Sequence, residues 1–284
     1  MTTPRTVVVG IDGSEVANTA LVFAADEARR RGARLIVAHA GDVSHLARPE
    51  TEVRPFAEIL CQEAVATVAA VDPQLDCRVV LRAAAPAELL VELAASAELL
   101  VVGTHRMGRL RGWVLGSVSQ YVAAHARCPV VTISAPPDHD DGAIVLGVSA
   151  TPGGIAALRF ACEEARVRGV PVRAIRSIIS EDWALSAPGR EMVLGSDILH
   201  DAAQAELDRV LAEAKESYPD VSVDGETSNT SPFSALLDAA DGASMLVIGS
   251  RRGQSSPLPH LGPVAAWLLH QATCPLAVVG HRDA

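Results

Sequence analysis

Gly103-Thr104-His105-Arg106-Met107-Gly108, running on to Gly116-Ser117-Val118-Ser119, is the stretch whose reading decides the fold. It follows the apolar run Leu99–Val102 and precedes a helical segment ending in Cys128-Pro129. A glycine loop between a buried strand and a helix start is where α/β proteins hold anions, because backbone N–H groups and the positive end of the helix dipole converge there. The layout recurs 146 residues later, as Met245–Ile248, Gly249-Ser250-Arg251-Arg252, Gly262-Pro263-Val264-Ala265 and Cys274-Pro275. The copies differ at the helix start, where the first has hydroxyls and the second proline and alanine.

Working outward, apolar runs alternate with helical patterns. Thr6–Ile11 reads as a buried strand, and Ser14 as the cap of a helix with an alanine-rich stripe that Gly32 ends. Strands follow at Arg34–Ala40, Asp76–Arg82, Leu99–Val102 and Val130–Ser134, with helices at Pro55–Val71, Pro86–Ala97 and Leu115–Ala126 between them. This alternation predicts βαβ units and a parallel sheet. The polar, proline-rich stretch 135–142 reads as a linker, after which Ala143–Val148 restarts the pattern. Phe23-Ala24, Glu27-Ala28-Arg29 and Gly32 recur as Phe160-Ala161, Glu164-Ala165-Arg166 and Gly169, at a spacing of 137 residues. The difference between the two spacings is a net insertion of nine, placed within Ile178–Leu194. Residues 1–134 and 143–284 are thus expected to be tandem copies of one domain.

Composition excludes several classes. The chain has 284 residues, 49% hydrophobic and 20% charged, which suits packed cores rather than disorder. Aromatics make up 3%, too few for base-stacking platforms, and the net charge of −10 opposes binding to a nucleic-acid backbone. No apolar run reaches the ~18–20 residues of a membrane span and no signal peptide is evident, so a cytoplasmic location is expected. Five cysteines without a C-x-x-C pair fit a reducing compartment and no redox role. No metal-ligand set is evident, and Gly10-Ile11-Asp12-Gly13 is not a dinucleotide fingerprint.

Val7-Val8-Val9-Gly10-Ile11-Asp12-Gly13-Ser14, Val101-Val102-Gly103-Thr104-His105-Arg106, Leu115-Gly116-Ser117-Val118-Ser119 and Cys128-Pro129-Val130 together resemble the universal stress protein family. The resemblance covers nearly the whole chain as two tandem units. It implies a flavodoxin-like (Rossmann-like) doubly wound sheet of five parallel strands in each. Its ATP-binding branch carries G-x-x-G, nine residues, then G-[ST]. Gly103 matches the first glycine and Gly116-Ser117 the last pair, whereas Arg106 stands at the middle glycine, with Gly108 two residues on.

The candidate cofactor-binding residues are therefore Gly10, Asp12, Gly103, Arg106, Gly108, Gly116, Ser117, Val118 and Ser119; no residue is assigned a catalytic role. Asp12, at the end of the first strand, either accepts hydrogen bonds from a ribose or adenine or satisfies its own turn. The resemblance also implies nucleotide contact there. Gly10 either admits a ligand or serves packing. Arg106 either reaches a phosphate or faces solvent. Ser117 offers a hydroxyl and an N–H to an anion, or merely caps its helix. In the second copy Ser149, Pro263 and Ala265 replace Asp12, Ser117 and Ser119, so that copy is expected to be degenerate.

The leading expectation is a non-catalytic ATP-binding stress-response protein, with or without Mg2+ on the phosphates, whose first copy holds the nucleotide and whose occupancy modulates association. Two alternatives are a weak ATPase and an interaction module that has lost nucleotide in both copies. The absence of G-x-x-x-x-G-K-[ST] excludes a P-loop enzyme. The resemblance implies that the two copies pair as a pseudo-dimer. A further homodimer and an unidentified protein partner are expected; nucleic acid and membrane are not.

Overall fold

A computed structural model describes residues 5–41, 50–104, 117–136, 141–149, 151–179, 196–250 and 261–280. The chain divides into two compact units, 1–136 and 137–284. Unit 1 contains β1 (Thr6–Gly10), α1 (Glu15–Arg31), β2 (Arg34–Ala40), α2 (Glu50–Val71), β3 (Cys77–Arg82), α3 (Pro86–Ala94), β4 (Leu99–Gly103), α4 (Ser117–His125) and β5 (Val130–Ile133). Unit 2 contains β6 (Ile144–Gly147), α5 (Pro152–Arg168), β7 (Val172–Ser177), α6 (Ser196–Ser217), β8 (Val223–Ser228), α7 (Pro232–Ala239), β9 (Met245–Gly249), α8 (Pro263–Gln271) and β10 (Leu276–Val279).

Within unit 1 the strands run in the order β3-β2-β1-β4-β5, and within unit 2 in the order β8-β7-β6-β9-β10. The pairings within each unit are parallel. Strands covered on both faces must be apolar along their length. Val7, Val8 and Val9 of β1 and Leu99, Leu100 and Val101 of β4 accordingly have no exposed surface. The outer strands β3 and β8 are largely exposed. In unit 1, α1 and α2 pack together, as do α3 and α4, so a helical pair covers each face.

The helix ends follow local chemistry. Ser14 Oγ accepts from the Ala17 N–H at 3.2 Å and opens α1; Thr151 Oγ1 accepts from Gly154 N–H at 3.2 Å and opens α5. Gly32 (φ 58°) and Gly169 (φ 71°) end these helices in the left-handed region. Just before each glycine lies a buried ion pair one turn long. Arg31 meets Glu27 at 3.1 Å, and Arg168 meets Glu164 at 3.4 Å, all four side chains at most 6% exposed.

Two element ends differ from the sequence reading by three residues or more. Helix α2 begins at Glu50 rather than Pro55, so it runs through the residue that looked like its first turn. Helix α3 stops at Ala94 rather than Ala97. There the Ala95 and Ala97 N–H groups bond back to Glu92 and Ala94, and the Glu98 N–H joins the sheet at the Thr6 carbonyl. Sheet pairing thus takes over where no local stop signal exists.

Candidate functional site

Strand β1 lies between β2 and β4, with Gly10 opposite Ala38 and Val9 opposite Val101. The order of strands reverses here, and open α/β sheets bind ligands outside the carboxyl ends of such strands. The chain leaves β1 through Ile11-Asp12-Gly13-Ser14. Asp12 Oδ1 accepts from the Ser14 backbone N–H (2.9 Å) and from Ser14 Oγ (2.6 Å), forming the turn that sets Ser14 over the helix. Both bonds fall on one carboxylate oxygen. Asp12 is exposed, and among the described residues no donor reaches Oδ2. The turn role and a ligand role are therefore compatible in one side chain.

The two strand-end glycines have packing reasons of their own. A β-carbon on Gly10 would lie 3.0 Å from Leu90 Cδ1 of α3. On Gly103 it would lie 3.1 Å from the backbone of Val16 and Ala17, because the first turn of α1 rests on the end of β4. Of the three helix-start residues, Ser117 opens α4 and is exposed, and Val118 is half-buried. Ser119 is 2% exposed, and its Oγ lies 3.3 Å from Thr104 Oγ1, itself 3% exposed. Its hydroxyl is thus engaged inside the unit, tying the strand end to the helix start. Arg106, Gly108 and Gly116 lie outside the described residues.

Two residues here escaped the sequence reading. Thr104 supplies that tie, and its N–H also donates to the Ile133 carbonyl at 2.8 Å. The signal was a hydroxyl directly after Gly103 and another two residues into the helix. His39, near the end of β2, holds the Ile11 carbonyl through Nδ1 at 2.8 Å. Nothing in its sequence neighbourhood marks that role.

Unit 2 repeats the frame with different chemistry. Gly147 packs against Leu236 and Ile248, as Gly10 packs against Leu90. Gly147, Ser149, Ile175, Leu236, Gly249 and Val264 line a cavity of about 180 Å3 at the strand ends. Four of these are the counterparts of Gly10, Asp12, Gly103 and Val118. Helix α8 opens on Gly262 and Pro263, and proline brings no N–H to the helix start. Ser250, the counterpart of Thr104, is 2% exposed; with Ala265 opposite, its hydroxyl has no partner among the described residues. Backbone contact is closer too: a β-carbon on Gly249 would lie 2.6 Å from Gly153. One on Gly153 would strike the Ser250 carbonyl oxygen, and one on Gly154 the Ser149 carbonyl oxygen.

Among the described residues no group of three His, Cys, Asp or Glu side chains could hold a metal, and no helix is long and apolar enough to cross a membrane. The five cysteines form no disulfide. Burial pushes the Cys162 and Cys274 thiols up to about 11 and raises Cys61 and Cys77, so little reactive thiolate forms at neutral pH.

Two tandem flavodoxin-like units, each a parallel sheet with helices on its faces, define a duplicated doubly wound α/β protein. The universal stress protein family model matches residues 3–134 and again 142–280. The chain belongs to the universal stress protein family. A universal stress protein of Mycobacterium tuberculosis is 30% identical over 293 residues, covering 96% of each chain. Another from the same organism is 34% identical over 224 residues, 78% of this chain and 79% of its own. In fold, the crystal structure of a universal stress protein from Archaeoglobus fulgidus is similar over 99% of this chain and 100% of its own, with a TM-score of 0.75 and 17% identity.

Proposed function

We propose that unit 1 binds an adenine nucleotide, ATP with or without Mg2+, without turning it over, and that occupancy modulates how the protein associates with partners in a stress response. The observation that carries this reading is convergence. The counterparts of Gly10, Asp12, Gly103 and Val118 line a single cavity in unit 2, so the fold gathers these four positions around one volume. Unit 1 adds to that frame a carboxylate at Asp12, one oxygen of which meets no donor among the described residues, and a hydroxyl at the start of α4, Ser117. A carboxylate suits ribose hydroxyls, and a helix N-terminus suits phosphate. Arg106, Gly108, Gly116 and the Ser119 backbone complete the proposed cradle.

Unit 2 lacks the carboxylate and, at its helix start, the serine hydroxyl and one N–H, so one nucleotide per chain is expected. Titration calorimetry with ATP on the full chain tests this, together with mass measurement of ligand carried through purification. Saturation at one site supports the reading. No heat and no thermal shift at millimolar ATP would overturn it, and two sites of equal affinity would overturn the asymmetry.

A further inference from the structure

The residue that carries Asp12 is held at both of its backbone groups by consecutive residues of β2. Ile11, just past the end of β1, donates its N–H to the Ala38 carbonyl at 2.9 Å. Its own carbonyl lies 2.8 Å from His39 Nδ1. A carbonyl oxygen can only accept, so the proton sits on Nδ1 in either charge state of the ring. That carbonyl belongs to the planar peptide joining Ile11 to Asp12, so His39 sets the plane from which the carboxylate projects. On its other side Asp12 Oδ1 is engaged by Ser14, whose Oγ accepts in turn from the Ala17 N–H of α1.

Unit 2 keeps one of the two β2 bonds and drops the other. The Val148 N–H donates to the Ile175 carbonyl at 2.9 Å, the counterpart of the first. At the spacing of 137 residues, Arg176 stands where unit 1 has His39. Its Nε reaches Glu206 Oε2 of α6 at 3.0 Å and its Nη1 the Ser177 carbonyl at 2.7 Å. Among the described residues no side chain donates to the Val148 carbonyl. The Ser149 turn onto Thr151 forms all the same. Folding of the turn therefore does not require the second bond, and the unit that makes it is the one whose next residue is a carboxylate. A carboxylate that reads a ligand has a use for a fixed base. Hydrogen bonds weaken steeply with misalignment, and ordering a loop on binding costs affinity.

From this we infer that His39 is a positioning residue of unit 1: by holding the Ile11–Asp12 peptide it aims the Asp12 carboxylate at the ribose hydroxyls of the nucleotide. The site thereby selects ribonucleotides over nucleotides that lack those hydroxyls. This rests on the nucleotide reading of unit 1, and His39 acts through Asp12 rather than on the ligand.

Titration calorimetry of the full chain tests this, with ATP and dideoxy-ATP, which lacks both ribose hydroxyls, as probes. Wild type is expected to prefer ATP by about tenfold or more, since hydrogen bonds to a charged group are lost with the hydroxyls. Asp12→Ala is expected to abolish the preference. His39→Leu, which keeps bulk and removes the donor, is expected to lower it to about threefold or less. His39→Asn places an amide N–H where Nδ1 stood and is expected to restore most of it. A ratio of two affinities measured on one variant is insensitive to its stability, so a merely structural residue would leave it unchanged. Should His39→Leu not fold, His39→Gln, with its amide one bond further out, takes its place with the same expected loss. The inference is overturned if that variant keeps the full preference, if His39→Asn does no better than it, or if wild type shows no preference. Failure of wild type to bind ATP at all would overturn the nucleotide reading as well, so the two failures are distinguishable.

Discussion

At the end of its first strand unit 1 has Asp12 and unit 2 has Ser149, and both make the same kind of local turn. Asp12 receives Ser14, and Ser149 bonds to Thr151. The turn needs only one acceptor, which either residue supplies. The carboxylate carries a second oxygen that the turn does not use. Pro263 repeats the lesson at the helix start, since it opens α8 as well as Ser117 opens α4 while contributing no donor. Folding constrains these positions loosely, which leaves their chemistry free to diverge between copies of one frame.

The largest effect should come from converting one unit toward the other. Asp12→Ser with Ser117→Pro removes two donors or acceptors from the proposed site. At about 1.5–3 kcal/mol per hydrogen bond to a charged group, ATP affinity should fall by roughly 10²–10⁴ in calorimetry. An unchanged affinity would place the nucleotide elsewhere. Next come the duplicated ion pairs. Glu27→Ala and Glu164→Ala each remove a carboxylate from beside a buried arginine and should cost about 3–5 kcal/mol. Hydrogen exchange read separately in each unit would check this, and a cost in only one unit would break the equivalence.

A smaller effect separates the units at the strand–helix tie. Ser119→Ala recreates in unit 1 the orphan hydroxyl of unit 2 and should destabilise it by about 1–3 kcal/mol. Ala265→Ser offers Ser250 a partner and should stabilise unit 2 by about 1 kcal/mol, both read from urea midpoints. The smallest effect is one of pH. Burial lowers the pKa of His270 below its ordinary 6.5, and unit 1 has Ala124 at that position. Below pH 6.5 the unfolded chain binds the proton more readily, so the His270 contribution is complete above that value and is lost on acidification. His270→Gln should flatten stability between about pH 7 and 5; a slope unchanged in thermal melts would exclude His270 as its source.

How far the sequence reveals this molecule depends on how local each cause is. Strands buried on both faces announce themselves as apolar runs, and Ser14, Gly32 and Gly169 mark helix ends with their own chemistry. The duplication is equally visible, because two fixed spacings align strands, caps and Cys-Pro pairs. Causes that lie far along the chain are hidden. Gly10 fits closely against Leu90, 80 residues later, and α3 stops because Glu98 meets Thr6 in the sheet. Of the candidate site, the turn at Asp12 and the start of α4 are visible in sequence. The inward turn of Ser119 onto Thr104 and the hold of His39 on Ile11 could not, since each depends on two separate elements meeting.

The seam of Gly153, Gly154 and Gly249 carries a last consequence. Three neighbouring backbones there have no room for a single methyl group on any of them. The matching place in unit 1 already accommodates Val16 and Ala17 beside Gly103. Two halves descended from one ancestor thus differ in their freedom to vary. A saturation-mutagenesis map should show a three-residue spot in unit 2 where every substitution is rejected, facing a counterpart in unit 1 where only Gly103 is held. Side chains cannot enter the second copy at these positions one mutation at a time.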